Sequence, residues 1–195
     1  MNSIQETVMD SPQTHNSDNK QNLQMGHPFL KYVVCFLTRG DEILMLHRRY
    51  PPNAHLWNGV GGKIKDGETA LQTCVREVRE ETGFKLETLN YGGILTWEGF
   101  EIDDGGLYLF YSEAPDGEFI RDNGEGILTW KAREWVFSSD AVVSNIQHFG
   151  PKILAGVPPK EYYFKYHQGR ILVYEIRQLP DWADIHTPIR VPKSS

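Results

Sequence analysis

The sequence predicts a mixed α/β (α+β) fold, in which helices pack on the faces of a mixed β-sheet. Segments rich in β-branched and aromatic residues recur along the chain and are separated by short polar turns. One long segment repeats its apolar residues at the three- and four-residue spacing of a helix. With 195 residues, 39% of them hydrophobic and 12% aromatic, the chain is large and apolar enough for one domain with a sizeable core.

The strands are predicted from runs of β-branched and aromatic residues between turn signals. The first pair covers 31–38 and 42–47, because KYVVCFLT is followed by the turn Arg39-Gly40-Asp41. Further strands are predicted over 91–98, 107–112, 128–136, 161–166 and 171–177. Gly- and Asp-rich turns at 103–106 and a turn at 167–170 connect the paired segments.

The long helical segment is predicted from Glu68 to Thr82, followed by Gly83, because glycine often occupies the left-handed position after a helix. Its apolar face comprises Ala70, Leu71, Cys74, Val75 and Val78. A shorter helix is predicted over 145–155. Strands interleaved with two helices are typical of a mixed sheet that carries helices on its faces.

The ends of the chain differ in composition from the middle. Residues 1–26 are rich in Asn, Gln, Ser, Thr and Asp and contain no Phe, Trp or Tyr, so they bury too little apolar surface to offset their ordering entropy. We expect a flexible tail over 1–26, a folded domain over 27–179 and a second tail over 180–195. No apolar run has membrane-spanning length, and the N-terminus does not resemble a secretory signal, so a cytoplasmic location without membrane association is expected.

The charge and the cysteines exclude two further classes of protein. A formal net charge of -6 argues against a nucleic-acid polymer as partner, because proteins that bind such polymers usually carry a basic patch. A small phosphorylated substrate stays compatible with this charge, because metal ions mask carboxylates locally. Cys35 and Cys74 form no CxxC pair, and we expect both to be reduced residues of the core.

The predicted long helix carries an acidic face. Glu77, Glu80 and Glu81 stand at i, i+3 and i+4 and so lie together, apart from the apolar face. Like charges at this spacing repel one another and destabilise a helix. Such a face is either solvated or a set of hard oxygen ligands for Mg²⁺ or Mn²⁺, and the helical pattern alone leaves both interpretations open.

The segment that contains this face, GKIKDGETALQTCVREVREETGF over 62–84, resembles the Nudix box of the Nudix hydrolase family. The matching residues are Gly62, Glu68, Arg76, Glu77, Val78, Glu80, Glu81, Gly83 and Phe84. The resemblance implies an α/β/α sandwich with a mixed sheet and a loop–helix–loop motif. It also implies an enzyme that uses Mg²⁺, or Mn²⁺, and water to cleave a diphosphate linkage in a nucleotide-like substrate.

The resemblance further implies a role for each position. The metal ligands would be the side chains of Glu77, Glu80 and Glu81 together with the backbone carbonyl of Gly61. Among these, Glu77 is the first candidate for the general base, and a glutamate outside the box is the second.

Other positions of the box would shape and orient the site. Arg76 would orient the carboxylates by pairing with Glu68. Gly62 and Gly83 would permit tight loops at the two ends of the helix, and Lys63 would face the phosphates of the substrate.

The preceding run, Trp57-Asn58-Gly59-Val60-Gly61-Gly62-Lys63, is similar to the MutT-type branch of the family and to the mammalian oxidised-purine nucleoside triphosphatases. That similarity implies that Asn58 reads a purine base, and a turn asparagine next to glycine is the alternative interpretation. In the same way Glu125, in EGILTW, would be an extra metal ligand or base, or simply an exposed loop residue. Arg48, in LHRRY, would contact phosphate, or face solvent at the end of a strand.

The sequence gives weaker evidence for the residues that would bind the base than for the residues of the Nudix box. Asn145, in SNIQHFGPKIL, is the nearest equivalent of a residue that holds the base in relatives, and helix capping is the alternative. We expect Trp97, Trp130, Trp135 and the aromatic residues of the closing hairpin to belong to the core and sheet surface rather than to a stacking platform.

Three functions are therefore considered. The first is hydrolysis of a purine nucleoside triphosphate, including an oxidised one such as 8-oxo-dGTP, to the monophosphate and pyrophosphate. The second is cleavage of another diphosphate substrate, such as ADP-ribose, a nucleotide sugar, a dinucleoside polyphosphate or a capped RNA end. The third is a non-catalytic nucleotide-binding module, against which the complete set of box carboxylates and Arg76 argues. The WNGVGGK run favours the first.

Overall fold

A computed structural model describes residues 29–185 and 189–191, and the expected tail over 1–26 lies outside them. The strands are β1 (Leu30–Arg39), β2 (Glu42–Arg48), β3 (Trp57–Asn58), β4 (Thr88–Glu98), β5 (Gly105–Glu113), β6 (Gly126–Ala132), β7 (Lys160–His167), β8 (Arg170–Gln178) and β9 (Ile189–Arg190). The helices are α1 (Ala70–Thr82), α2 (Arg133–Val136) and α3 (Ile146–Leu154), followed by a 3-10 turn over Asp181–Ala183.

The strands form a mixed sheet in the order β3-β2-β1-β5-β4-β7-β8, with β6 paired to β2 and β9 to β4. The pairs β1/β5 and β4/β7 are parallel, and the other pairs are antiparallel. One buried apolar cluster joins the sheet to α1, and a second joins the opposite face to α3. The predicted mixed α/β fold with helices on both faces is thus confirmed.

Strands β1 and β2 separate beyond their shared turn, and this separation makes room for the loop before α1. The two strands pair only near their shared turn, from Leu37 to Arg39, whereas β2 pairs with β6 along its whole length. The edge of β1 that β2 leaves is taken by the loop before α1. In this loop the carbonyls of Val60 and Gly62 accept hydrogen bonds from the backbone N–H groups of Cys35 and Val33, at 2.7 and 2.9 Å.

Helix α1 begins two residues later than predicted, because Thr69 caps it. The Thr69 hydroxyl accepts from the N–H of Gln72, and the Gln72 side chain accepts from the N–H of Thr69. These reciprocal bonds satisfy donors that a helix start would otherwise leave unpaired. At the other end Gly83 has the predicted left-handed conformation, with φ of 81°.

Two predicted segments differ from the structure. The strand predicted over 128–136 ends at Ala132, and the chain turns into α2, which places Val136 in the buried cluster beneath α3. Part of the tail expected over 180–195 packs against the fold. Ala183 is buried, its carbonyl accepts a hydrogen bond from the Tyr91 hydroxyl at 2.8 Å, and β9 pairs with the start of β4.

Two smaller predictions concern the cysteines and membranes. Cys35 and Cys74 are both buried and form no disulfide, as predicted. Within the described part of the chain, every helix is too short or too polar to cross a membrane.

Candidate active site

A cavity of about 520 Å³ opens between the loop before α1, the ends of β2 and β6, and the sheet face that packs on α3. Its polar end is lined by Gly61, Gly62, Lys63 and Glu77, and its other end is lined by aliphatic and aromatic residues. This volume lies within the range of small-molecule sites. A ligand bound here would therefore have one end near charged groups and the other in an apolar environment.

The glycines at the polar end allow the loop to approach β1 and α1 closely. Gly61 has φ of +151°, and a β-carbon there would overlap the Val33 carbonyl oxygen. A β-carbon at Gly62 would overlap the carboxylate of Glu77. Only glycine fits position 61, and at position 62 a side chain would displace the Glu77 carboxylate, so glycine at both positions lets the loop backbone lie directly beside the acidic residues of α1.

Arg76 joins the acidic residues of α1 to the start of the helix, as predicted. Its guanidinium donates two hydrogen bonds to Glu68, at 2.7 and 2.8 Å. A third bond reaches Glu77 at 2.7 Å, and a fourth reaches Glu80 at 3.1 Å. Planar guanidinium groups make such multiple contacts with carboxylates, and these contacts fix the direction in which each carboxylate points.

Glu81 differs from its neighbours because it is buried. Its Oε2 accepts the N–H of Gly61 at 3.0 Å, and its Oε1 is buried with no hydrogen-bond partner among the described residues. Burial raises the pKa of Glu81 to about 8, the bond from Gly61 opposes the shift, and the charges of Glu125 and Glu77 add to it. A buried carboxylate oxygen without a partner is costly, so this atom points to a bound cation or proton as its natural partner.

The structure does not gather the box carboxylates into a ready-made metal site. Within 29–185 and 189–191, no three His, Cys, Asp or Glu side chains are close enough together to hold a metal ion. The Arg76 guanidinium holds Glu77 and Glu80, while Glu81 faces Gly61. The donor set nevertheless fits Mg²⁺ or Mn²⁺, which prefer carboxylate and carbonyl oxygens, and the unpartnered oxygen of Glu81 is the atom best prepared to bind one.

The three predicted residues outside the acidic face all line the cavity. Lys63 and Arg48 lie there together with Lys65, and Arg48 donates through Nε to the Pro52 carbonyl at 2.9 Å. Glu125 stands at the start of β6, where its neighbour Gly126 pairs with Arg48, and its side chain is exposed. The structure therefore brings a phosphate-binding candidate and an additional carboxylate to the same end of the cavity.

The apolar end is more aromatic than the sequence indicated. Tyr32, Trp97, Phe100 and Tyr166 line the cavity and contact one another in series, with ring centroids 6.4, 6.5 and 4.9 Å apart. Trp97 is part of the core, as expected, but it also forms a wall of the cavity. The alternation of β1 gives a partial signal, because Tyr32 points away from the face that buries Val33.

The two candidate base-reading residues, Asn58 and Asn145, both line the cavity. Asn58 accepts the N–H of Gly59 through Oδ1 at 2.8 Å, and its Nδ2 group has no partner among the described residues. Asn145 occupies the N-cap position of α3 but makes no capping bond with its side chain; its amide donates instead to the Tyr166 hydroxyl at 3.0 Å. The helix-capping interpretation of Asn145 is therefore wrong, and both amides border the cavity.

Comparison with known proteins adds a family match. A model described as the NUDIX domain matches residues 28–156. The uncharacterized Nudix hydrolase YvcI of Bacillus subtilis (strain 168) is 30% identical over 103 residues, which are 49% of this chain and 61% of that protein. The NAD-capped RNA hydrolase NudC of Haemophilus influenzae (strain PittEE) is 33% identical over 99 residues, 45% of this chain and 38% of that protein. The chain thus covers less than two thirds of these two curated relatives.

Solved structures show the same fold. The MutT protein of Bacillus halodurans aligns with a TM-score of 0.64 at 25% identity, over 74% of this chain and 95% of that chain. The NUDIX domain of Shewanella oneidensis NrtR, solved in complex with ADP ribose, aligns with a TM-score of 0.57 at 14% identity. The latter alignment covers 74% of this chain and 100% of that chain.

Proposed function

Because the chain belongs to the Nudix hydrolase family, we propose that it uses water to cleave the diphosphate linkage of a nucleotide, with Mg²⁺ or Mn²⁺ as cofactor. One observation carries this proposal: a buried glutamate, Glu81, has an unpartnered oxygen beside the glycine loop of a cavity. A solvated acidic face does not account for it, because a solvated carboxylate would be exposed to water.

The chemistry follows from the groups at the polar end. Glu77, Glu80, Glu81 and the Gly61 carbonyl would hold the metal, with Glu125 as a further ligand or as the base. A bound divalent ion would neutralise charge on the attacking and leaving oxygens of the linkage. Glu77 is our first candidate to accept the proton of the attacking water, and Arg76 keeps that carboxylate oriented. Lys63 and Arg48 would bind the phosphate oxygens.

The apolar end favours a substrate that carries a nucleobase. A flat ring can stack between aromatic side chains such as Trp97, Phe100 and Tyr166, while the amides of Asn58 and Asn145 contact its polar edge. We propose a purine nucleoside triphosphate as substrate, including an oxidised one such as 8-oxo-dGTP. The products would be the monophosphate and pyrophosphate.

A dinucleotide-type substrate is the second candidate, because a second cavity adjoins the first. It measures about 320 Å³, shares Tyr32, Trp97 and Ile102 with the first cavity, and is also lined by Lys31 and Asp104. A second nucleoside or a ribose could lie there. NAD, ADP-ribose and dinucleoside polyphosphates therefore belong in the same test.

The test is a nucleotide panel assayed with Mg²⁺ and with Mn²⁺. We expect hydrolysis to stop after chelation and to recover when the metal is restored, with release of pyrophosphate rather than phosphate from the triphosphates. Preference for a purine triphosphate over pyrimidine triphosphates, NAD and ADP-ribose would support the first substrate class. Full activity in excess chelator would contradict the metal-dependent mechanism, and a preference for ADP-ribose or NAD would replace the triphosphate assignment.

A further inference from the structure

The position of Glu125 needs an explanation, because this candidate ligand or base lies on an exposed loop. Glu125 is solvent-exposed although it lines the cavity. An exposed carboxylate that must act at a fixed distance from Glu81 depends on its backbone being held in place. Three sets of contacts hold the loop over 121–126 in place.

The first support is the strand next to it. Beyond the last β2–β6 pair, between Arg48 and Gly126, the N–H of Arg49 donates to the carbonyl of Glu125 at 2.8 Å. This bond extends the backbone pairing of β2 with β6 by one residue beyond the end of β2. The backbone of Glu125 is thus tied to the strand that carries Arg48.

The second support is the side chain of Arg49. Its two terminal nitrogens donate to the two carboxylate oxygens of Asp122, at 2.7 and 2.6 Å, and one of them also donates to the Gly124 carbonyl at 3.2 Å. The arginine thereby closes the turn that leads to Glu125. Both partners are substantially exposed, 40% for Arg49 and 56% for Asp122, and exposed ion pairs contribute little to stability. Two parallel hydrogen bonds to one carboxylate do, however, fix the relative orientation of the two side chains.

The third support is Asn123. Its Oδ1 accepts the N–H groups of Glu125 and Gly126, at 3.0 and 3.1 Å, and its Nδ2 donates to the Glu81 backbone carbonyl at 3.4 Å. One side chain therefore links the Glu125 loop to the last turn of α1. The charge of Glu125 acts on buried Glu81, and like charges repel, so the loop needs such a link to keep Glu125 near Glu81.

We propose that Arg49, Asp122 and Asn123 are positioning residues that fix Glu125 beside Glu81 at the polar end of the cavity. We call these three residues the Glu125 clamp. The proposal rests on the proposed role of Glu125 in catalysis or metal binding. The clamp residues act through Glu125, so their removal should have no consequence once Glu125 itself has been neutralised.

The experiment is a double-mutant cycle that combines Arg49→Ala with Glu125→Gln. We expect Arg49→Ala to lower kcat on the best substrate of the panel, and to weaken Mn²⁺ binding followed by electron paramagnetic resonance, each by about 10-fold. In the Glu125→Gln background the same substitution should change both quantities less than about 2-fold. Arg177→Ala is the matched control, because Arg177 is 42% exposed and pairs with Glu175 at 2.8 Å away from the cavity.

Amide hydrogen exchange gives a readout that depends on no substrate. Asn123→Ala should speed exchange at the amides of Glu125 and Gly126, which lose their acceptor, while the melting temperature changes little. Arg49→Ala should speed exchange at Glu125 less strongly. Arg177→Ala should leave both amides unchanged.

Several outcomes would overturn the clamp. These are an equal loss in both backgrounds of the cycle, no loss in either, a Glu125→Gln variant with wild-type kcat and Mn²⁺ affinity, or unchanged exchange in Asn123→Ala. Failure of the proposed function looks different. If the wild-type protein hydrolyses no nucleotide of the panel, the Mn²⁺ and exchange measurements still decide whether the clamp exists.

Discussion

Asn58 shows how one contact narrows the role of a residue. A free amide offers both a donor and an acceptor to a base. Here Oδ1 already accepts the N–H of Gly59, and this contact also fixes which end of the amide is nitrogen. The group left for a ligand is therefore the Nδ2 donor, which would bind an acceptor on the base edge.

The consequence can be tested with two substitutions at Asn58. Asn58→Asp keeps the acceptor for Gly59 but removes the donor, whereas Asn58→Ala removes both. Both should raise KM for a purine triphosphate, by a factor that corresponds to a loss of about 1–3 kcal/mol in binding free energy. The reason is that the acceptor on the base then loses its partner. Asn145→Ala should have a smaller effect, because its amide already donates to Tyr166.

The comparison to make is kcat/KM across several bases for the wild type and these variants. An Asn58→Asp variant with the base selectivity and KM of the wild type would show that Asn58 is only a turn residue. Equal losses for all bases would show that it does not read the base.

The sequence pattern predicts some residues of the candidate site but not others. The spacing of Arg76, Glu77 and Glu81 identified a set of side chains that the structure places around the polar end, since neighbours on one helix stay neighbours after folding. Arg49 and Asn123 could not be identified in this way. They act through contacts with residues more than 40 positions away, and their side chains fit any polar turn.

At the scale of elements, the start of α1 is held by charged hydrogen bonds as well as by its cap. Glu68 precedes the helix and accepts from Arg76 and from the Thr73 hydroxyl at 2.8 Å. Hydrogen bonds from Arg76, opposed by burial and aided by Thr73, lower the pKa of Glu68 to about 2. The ionised form of Glu68 thus ties the loop before α1 to the middle of the helix.

This shift predicts a pH dependence of stability. The folded-state pKa of Glu68 lies below the ordinary value of 4.5, so its contribution is fully present above that value and is lost as the pH falls towards about 2. Glu68→Gln should lower the free energy of unfolding by about 1–3 kcal/mol near pH 7. The difference from the wild type should shrink as the pH falls from 4.5 towards about 2, because the unfolded chain binds the proton first and folded Glu68 becomes neutral only near pH 2.

Urea unfolding from pH 3 to pH 7 would measure that difference. Glu42→Gln is the matched control, because Glu42 also pairs with an arginine at 2.8 Å but is 43% exposed, so a change below about 1 kcal/mol is expected. A difference between Glu68→Gln and wild type that is the same at every pH would contradict the role of the ionised carboxylate.

The elements themselves were predictable where the pattern is local. The β1–β2 turn, α1 with Gly83 and the β7–β8 hairpin follow from periodicity and turn residues. The end of β6 could not be predicted in this way. Whether residues 133–136 continue the strand or form a helix depends on the burial of Val136 under α3. Residues 181–183 pack through the distant Tyr91, a contact that no local pattern indicates.

At the scale of the whole molecule, the cavity exists because the sheet opens between β1 and β2. The glycine loop fills that opening on the side of α1, and α3 closes the opposite face, so a charged end and an aromatic end belong to one space. The acidic residues are thereby fixed by the fold before any ligand arrives. That arrangement keeps like charges close together and desolvates Glu81, which raises the pKa of that carboxyl, and a bound cation would relieve both effects.

Metal binding should therefore stabilise the whole fold. A ligand that binds only the folded state adds about 2.7 kcal/mol at 100 times its Kd, which raises the melting temperature of a domain of this size by roughly 5–10 °C. We expect this rise with Mn²⁺ or Mg²⁺ in the wild type and its loss in Glu81→Gln. The metal-free melting temperature of Glu81→Gln should equal or exceed that of the wild type, because the amide never carries the charge that burial and the neighbouring glutamates disfavour in Glu81. Glu87→Gln, which changes an exposed glutamate, should keep the full rise. Differential scanning fluorimetry across a metal titration measures all three proteins, and an undiminished shift in Glu81→Gln would mean that the cation binds elsewhere.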